Sequence, residues 1–283
     1  MEGEIMVPKR VADRFVRTIH KFNKILADAK DRDVNESDTV AIIIDILSEV
    51  FGYDRYLEIT SEFAVRGTYC DIAIKQNSKV EYLIEVKAIG LDLKDNHLRQ
   101  VIEYGAIKGV QWVILTNGLN WQIHRIRFEK PISHELLCSI DFANLDPKNE
   151  EHQERLFIVC KEGLVKDARE DLHEKVKTVN RFLLGALILS EKMVNDLRRE
   201  LRKISEGVSV TSDEIIKVLT NEVLKRDVLE GEEASKAHSR VRKFYGNVAK
   251  RAKASSECNP PEKEHEKESA KSPSGSDVPK DTQ

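Results

Sequence analysis

Cysteine is scarce in this sequence, and the few cysteines are scattered. They are Cys70, Cys138, Cys160 and Cys258, and no two of them form the closely spaced pairs that a structural zinc site needs. Their wide spacing also argues against the disulfide framework of small secreted proteins. We therefore expect reduced thiols and a fold that depends on a hydrophobic core.

Long apolar runs are also missing. The longest, 182–189, has eight residues, whereas a membrane helix needs about 20, so we predict a buried helix segment there and no membrane partner. The first residues are acidic, whereas a secretory signal begins with basic residues followed by an apolar stretch. We therefore predict a cytoplasmic protein.

The sequence has no excess of positive charge, which is common in proteins that bind nucleic acid. It contains 46 Lys and Arg residues against 49 Asp and Glu residues, for a formal net charge of −3. By itself this balance argues against a nucleic-acid partner. The test is blunt, however, because an enzyme that uses divalent ions must carry acidic ligands, and the ions supply positive charge that the sequence omits.

The first half of the chain mixes helix and strand patterns. A cap-like Asn35 and a terminating Gly52 bound the second helix, and Asn77 with Ser78 closes a hairpin between two strands. The predicted helices lie at 7–29, between Asn35 and Gly52 with its apolar run at 40–50, and at 93–108. The predicted strands lie at 57–65, 69–75, 80–87, 110–115 and 120–128. This order predicts an α/β fold with a mixed β-sheet flanked by helices on both faces.

The second half shows helical patterns only. The predicted helices lie at 150–163, 168–205, 212–229 and 234–252. Beyond them Lys, Glu, Ser and Pro dominate, which is typical of a disordered segment. We therefore predict three parts: the α/β domain at 1–148, an all-helical C-terminal extension at 149–252 and a disordered tail at 253–283.

Three charged side chains are predicted to share one face of the hairpin. In its second strand the apolar residues form one face, which leaves Glu85 and Lys87 pointing together on the other. In its first strand the same alternation separates Asp71 from Cys70 and Ile72. If the hairpin pairs in register with its turn, Asp71 lies near Glu85.

Two neighbouring carboxylates indicate a metal site. Asp71 and Glu85 repel each other unless a cation lies between them, and oxygen ligands of this kind suit Mg²⁺ or Mn²⁺. Such an ion polarises a phosphate and activates water, while the Lys87 ammonium orients that water or offsets developing charge. The alternative is a structural salt bridge between Glu85 and Lys87, since such patterns arise by chance in a chain with 34% charged residues. The apolar strand around the two charges favours the metal site, because an unpaired buried ion is costly.

A second polar pair follows on the helix at 93–108. Gln100 and Tyr104 are spaced i, i+4, so both lie on one face, which Lys108 can share. Their side chains can donate hydrogen bonds to a phosphate backbone. The alternative is an ordinary solvated helix surface.

These segments resemble a known nuclease signature. The PD-(D/E)xK signature with its Q-x-x-x-Y extension, as in recombination exonucleases and type I restriction enzymes, is similar to 67–71, 83–87 and 100–104. Further segments resemble the N-terminal domain of type I restriction R subunits, namely 35–39, 52–54 and 115–118 with Trp121. The resemblance covers about 35–127, and its motifs occur in the expected order. The sequence departs from the signature immediately before Asp71, where Cys70 replaces the proline that gives the signature the first letter of its name.

The resemblance implies a restriction-endonuclease-like fold and a Mg²⁺-dependent deoxyribonuclease with DNA as partner. By the same resemblance, the catalytic residues are expected to be Asp71, Glu85 and Lys87. The expected nucleic-acid contacts are Gln100 and Tyr104. The resemblance also implies a glutamate on the first helix of the domain as a further metal ligand, for which Glu36 is the first choice and Glu49 the second.

Complete R subunits continue into an ATP-driven motor, but this chain has no G-x-x-x-x-G-K-[ST] phosphate loop. It therefore resembles a free-standing relative of the nuclease domain. The alternative from another class is a catalytically silent nucleic-acid-binding or regulatory subunit of a defence or repair complex.

The helical extension differs from the first half in charge. Residues 161–252 contain 20 Lys and Arg against 16 Asp and Glu, or +4, whereas residues 1–160 contain 21 against 26, or −5. Three interpretations remain open: helices that grip a nucleic-acid backbone, ordinary solvated helix faces, and a homo-oligomer formed through the apolar stripe of Phe182, Leu183 and Leu187.

Overall fold

Residues 6–205 and 207–257 are described by a computed structural model of the protein. The chain divides into two units, Met1–Asn180 and Arg181–Gln283. The sequence boundary at residue 148 lies inside the first of these units. Most of the predicted tail, including Cys258, falls outside the described residues.

A single six-stranded sheet forms the centre of the first unit. Its strands are β1 (Ile59–Val65), β2 (Thr68–Gln76), β3 (Lys79–Val86), β4 (Trp112–Thr116), β5 (Asn120–Arg127) and β6 (Ser133–Asp141). The helices of this unit are α1 (Lys9–Asp31), α2 (Glu36–Glu49), α3 (Asp95–Lys108), α4 (Glu150–Phe157), α5 (Lys161–Val165) and α6 (Ala168–Thr178). The strands lie side by side in chain order.

The sheet is mixed because one connection crosses over. Neighbouring strands are antiparallel except β3 and β4, which are parallel and are joined through α3. The prediction of a mixed sheet flanked by helices is confirmed. The sixth strand was not predicted, because consecutive Leu136 and Leu137 break the alternation that marks a half-buried strand. In β6, Leu137 is buried whereas Leu136 is 51% exposed.

Helices cover both faces of the sheet. On one face, apolar residues of α1, α2 and α4–α6 form the larger core with β-strand residues such as Ile72, Ile84 and Trp121. On the other face, Val101 and Tyr104 of α3 pack against residues such as Leu83. This two-sided burial explains why β4, which is buried along its whole length, is almost entirely apolar in sequence.

Residues after the predicted domain boundary complete the larger core. Phe157 and Ile158 are at most 1% exposed. The Tyr53 hydroxyl donates a hydrogen bond to the Val159 carbonyl at 2.6 Å, and the Tyr82 hydroxyl donates to the Ile158 carbonyl at 2.8 Å. The first helices of the predicted extension therefore belong to the sheet-containing unit.

The described part of the second unit is helical. Its helices are α7 (Arg181–Ile188), α8 (Glu191–Ile204), α9 (Ser212–Val218), α10 (Arg226–Leu229) and α11 (Glu232–Glu257), with a π-helical turn at Leu219–Val223. The predicted long helices are thus broken into shorter ones, and α11 continues past residue 252, where the tail was predicted to begin.

The apolar stripe at 182–189 is used inside this second unit. Phe182 and Leu187 pack with Ala186 of the same helix and with Val241 and Tyr245 of α11, although Leu184 remains 45% exposed. The predicted buried helix segment is therefore only partly buried. In the described ranges, no helix combines the length and the apolar character that a membrane crossing requires.

Candidate active site

A β-bulge decides which residue of β3 lies opposite Asp71. Next to the hairpin turn Gln76 pairs with Lys79, a register that, continued along both strands, would place Asp71 opposite Ile84. The register shifts by one residue at a bulge in β3. Asp71 therefore lies opposite Glu85, one position beyond the last bridged pair, and opposite residues of antiparallel strands share a face.

The alternation predicted for β2 fails at Cys70. This residue was expected on the face of Ile72, but it packs in the smaller core with Ala73 and Leu83, whereas Ile72 belongs to the larger core. The neighbouring strand β1 has Glu62 with a φ of +48° opposite Asp71. This unusual backbone conformation of β1 lies opposite Asp71, at the point where the alternation of β2 fails.

Asp71, Glu85 and Lys87 come together at the carboxyl end of β3. One Asp71 carboxylate oxygen accepts a hydrogen bond from the Val86 amide at 2.7 Å. The Lys87 ammonium donates to Glu85 at 2.7 Å and lies 3.5 Å from a carboxylate oxygen of Glu36. The sequence-predicted acids and the lysine therefore form one cluster of three carboxylates and one ammonium.

The pKa values reflect crowding of like charges in a buried place. Burial raises the pKa of Asp71, although the Val86 amide and the Lys87 charge oppose the shift. Burial and the Asp71 charge raise the pKa of Glu85 to about 7. Burial would lower the pKa of Lys87, but its hydrogen bond and charge interactions with Glu85 outweigh this effect and raise it.

One oxygen of Glu85 has no partner. Glu85 is 1% exposed, its Oε1 accepts the Lys87 hydrogen bond, and its Oε2 is buried without a hydrogen-bond donor in the described structure. An unpartnered carboxylate oxygen is costly in a protein interior. The salt bridge that was the alternative interpretation is present, but it satisfies only one of the two oxygens.

Both glutamates proposed for the helix position lie on α2, but at opposite ends. Glu36 is in the first turn, where the Asn35 side chain caps the helix by accepting a hydrogen bond from the Asp38 amide at 2.9 Å. Glu49 is the last residue, about 20 Å away along the axis, and pairs with Lys21 at 2.6 Å on the surface. Only Glu36 lies beside Lys87.

Gln100 and Tyr104 are adjacent on α3, as their spacing predicts. The Gln100 side-chain amide donates to the Tyr104 hydroxyl at 3.0 Å. Lys108 lies instead above the ring of Phe63 in β1, 5.1 Å from its centroid. The pair lines a cleft between α3 and the turn that joins β1 to β2.

Asn117 helps to arrange this site, and reasoning from the sequence did not identify that role. It is 4% exposed, and its side-chain amide donates to the Leu91 carbonyl at 2.9 Å, tying the loop after Lys87 to the β4–β5 turn. The Lys87 amide in turn donates to the Thr116 carbonyl at 2.8 Å. Thr-Asn-Gly after an apolar strand is a recognisable turn signal, but its partner across 26 residues could not be read from sequence.

A protein family matches the part of the chain that contains this cluster. Residues 36–140 match the family described as the type I restriction enzyme R protein N terminus. The matched segment contains all six sequence-predicted site residues, from Glu36 on α2 to Tyr104 on α3. No curated protein and no solved structure matches the chain. Over residues 36–140, the chain is therefore similar to the N terminus of type I restriction enzyme R proteins.

Proposed function

We propose that this protein is a metal-dependent nuclease with a restriction-endonuclease-like PD-(D/E)xK site that hydrolyses phosphodiester bonds in DNA. The observation that carries the proposal is Glu85: a fully buried carboxylate beside Asp71, with one oxygen bound to Lys87 and the other unpartnered. Structural ion pairs satisfy both partners. An acid with an unpartnered oxygen next to a second acid is better explained by a role in holding a cation.

The donor set fits Mg²⁺ or Mn²⁺. In the described ranges no group of three or more His, Cys, Asp or Glu side chains is arranged to hold a metal ion. Mg²⁺ does not require one, because it is commonly held by one or two carboxylates together with waters and substrate phosphates. Asp71 and Glu85 would hold the ion. Glu36, which lies beside Lys87, would be a further ligand. When bound, the ion supplies Lewis-acid stabilisation of the phosphate.

The protein side chains then have separate tasks. The Val86 amide fixes the Asp71 carboxylate in place, so that it needs no reorganisation when a substrate arrives. The Lys87 ammonium, with its raised pKa, stays protonated and offsets negative charge that develops on the phosphate. Gln100 and Tyr104 offer hydrogen bonds that position the substrate backbone.

The similarity to the type I restriction R protein N terminus supports the same assignment. Its matched residues 36–140 include both carboxylates, the lysine and the Gln–Tyr pair, so that the family and the cluster coincide on the chain. The link to restriction also supports DNA, or a protein of a DNA-processing complex, as the partner.

Cleavage by a Lys87→Ala variant tests the proposal. We expect wild-type protein to nick plasmid DNA with Mg²⁺ or Mn²⁺ and the variant to lose this activity by at least a hundredfold, since one preorganised charge of this kind contributes roughly 10²–10³ in rate. Lys21→Ala is the matched control. It also removes a lysine from a Lys–Glu ion pair, but this pair, Lys21 with Glu49, lies on the surface.

Two outcomes would contradict the proposal. Full metal-dependent cleavage by Lys87→Ala, with the Lys21→Ala preparation equally active and circular dichroism unchanged, would remove Lys87 from the reaction. DNA binding by wild-type protein without uptake of Mn²⁺ in a calorimetric titration and without cleavage would favour the silent regulatory subunit instead.

A further inference from the structure

A cleft lies between the β1–β2 turn and the outer side of α3. Its volume is about 380 Å³. Val65 and Tyr104 form buried parts of its wall, and exposed polar side chains surround its mouth. The polar residues that matter here are Arg66, Asn96, Arg99, Gln100 and Tyr104.

The cleft is rich in uncommitted hydrogen-bond donors. Neither Arg66 nor Arg99 forms an ion pair within the described part of the chain, although many exposed arginines elsewhere do. The lining contains one carboxylate, Glu103, so the local charge is positive in a chain whose formal net charge is −3. The Tyr104 hydroxyl accepts from Gln100, which leaves its own hydrogen free to donate.

Arg66 occupies a backbone position that disfavours arginine. Val65 pairs with Thr68 across a two-residue turn, in which Arg66 has a φ of +41° and Gly67 a φ of +84°. Turns with two positive φ angles favour Asn or Gly at the first position. An arginine in this strained conformation supports the hypothesis that its side chain makes a functional contact.

We propose that this cleft binds the phosphate backbone of nucleic acid beside the cleavage site, an inference that rests on the proposed function. Arg66 and Arg99 provide planar guanidinium groups, which bind phosphate oxygens in pairs, and Asn96 and Tyr104 provide neutral donors. Thr68, at the rim of the cleft, precedes Asp71 by three residues of strand, a distance of about 10 Å. The bound phosphates therefore lie a few nucleotides from the bond to be cleaved.

Binding of DNA by an Arg66→Asn/Arg99→Gln variant tests this inference. The probe is a fluorescein-labelled 20-base-pair DNA duplex, with its single strand as a second probe, and the readout is anisotropy over a series of KCl concentrations. Each protein is titrated in two ways that prevent cleavage. In the first, Lys87 is kept and EDTA removes divalent ions; in the second, Mn²⁺ is present and the protein also carries Lys87→Ala.

We expect the variant to bind duplex at least about tenfold more weakly, with the slope of log Kd against log salt reduced by about two, since each phosphate contact contributes about 0.9. Arg66→Asn should not lower the melting temperature, because Asn suits the positive φ better than Arg. The matched control is Arg17→Gln/Lys24→Gln. It removes two exposed cations that form no ion pair with any described residue, from α1 on the opposite side of the sheet.

The outcomes separate this inference from the proposed function. Weaker binding and a smaller slope in the cleft variant, but not in the α1 variant, support the cleft even if no preparation cleaves DNA. Equal binding by all three proteins, or no DNA binding by wild-type protein, overturns the proposal that the cleft binds nucleic acid. If cleavage with Mg²⁺ nevertheless depends on Lys87 in that case, the proposed function stands without it.

Discussion

Among the described residues, Glu85 is the one acidic side chain that is buried. Its chemistry depends on its burial and on two neighbours: burial and the Asp71 charge raise its pKa, and the Lys87 ammonium donates a hydrogen bond to one of its oxygens. The consequence is a carboxyl group that titrates near neutral pH. Binding of a cation at this place must therefore compete with a proton.

We expect Mn²⁺ affinity to rise with pH through the pKa of Glu85. Only the ionised carboxylate binds the ion, and with a pKa of about 7 the ionised fraction rises from about one tenth at pH 6 to about nine tenths at pH 8. Calorimetric titration should thus give an apparent affinity about tenfold higher at pH 8. Glu85→Gln should bind weakly at both pH values, and Glu49→Gln, on the surface end of α2, should behave as wild type. An affinity independent of pH would exclude Glu85 as a ligand.

A second buried titratable residue, His124, lies away from the site on β5. It is 5% exposed, its Nδ1 has no hydrogen-bond partner among the described residues, and its ring contacts His134 of β6 at a centroid distance of 5.5 Å. Burial, with a contribution from His134, lowers the pKa of His124 to about 4. The folded protein therefore holds this imidazole neutral where the unfolded chain would protonate it.

We expect His124 to weaken the fold in mild acid. Because the pKa of His124 is lowered in the folded protein, the neutral imidazole costs no folding stability above about pH 6.5. As the pH falls towards 4, the unfolded chain takes up a proton that the folded protein does not, and the free energy of unfolding decreases by an amount on the order of 3 kcal/mol. Urea unfolding at pH 7 and pH 4.5 should show a smaller loss of stability for His124→Leu than for wild type. His20→Leu on α1, where the histidine is exposed, is the control, and an equal loss in all three proteins would contradict the expectation.

At the scale of elements, the start of α2 positions Glu36. Asn35 caps the helix with its side chain, and the next residue is Glu36, which lies 3.5 Å from the Lys87 ammonium. The helix end thus brings a carboxylate from a distant part of the sequence to the end of β3. The cap residue itself could be recognised in the sequence, but its spatial neighbour could not.

We expect Asn35→Ala to destabilise the protein by about 1 kcal/mol, the usual cost of losing a helix cap. Chemical denaturation measures the change. Asn35→Asp keeps an oxygen that can accept the Asp38 amide hydrogen bond, so it should retain most of the stability. If both variants lose the same amount, the cap contributes nothing measurable at this helix.

The bulge in β3 is the element that assembles the carboxylates. Its extra residue, Glu81, forms a partly buried ion pair with Arg169 of α6, and the Arg169 guanidinium lies 5.3 Å from the Tyr82 ring centroid. Helix α6 therefore holds the strand at the point where its register shifts. Through this contact, residues well beyond the family match support the arrangement of Asp71 and Glu85.

At the scale of the whole molecule, the sheet unit needs more chain than the sequence boundary at 148 provides. Phe157 and Ile158 are buried in the larger core, and each such side chain contributes roughly 1.5–3 kcal/mol. Arg169 adds the contact with the β3 bulge. Loss of these groups together approaches the total stability of an ordinary domain, about 5–15 kcal/mol.

We therefore expect a fragment of residues 1–180 to fold and a fragment of residues 1–148 to fail. The first should show a cooperative thermal transition and resist limited proteolysis, whereas the second should be degraded rapidly or recovered only in aggregated form. Cooperative unfolding of 1–148 with a melting temperature close to that of 1–180 would contradict the role given to α4–α6.

The sequence by itself determined the helix-and-strand order up to β5, the Asn77–Ser78 hairpin, and Asp71, Glu85 and Lys87 as the charged residues of that hairpin's candidate site. Those features follow from local periodicity, turn residues and capping, which need only neighbours along the chain. Tertiary structure alone decided that a bulge brings Asp71 opposite Glu85, that Glu36 reaches Lys87, and that one Glu85 oxygen stays unpartnered. Register, burial and contacts across many residues depend on how the whole chain packs, and no local pattern encodes them.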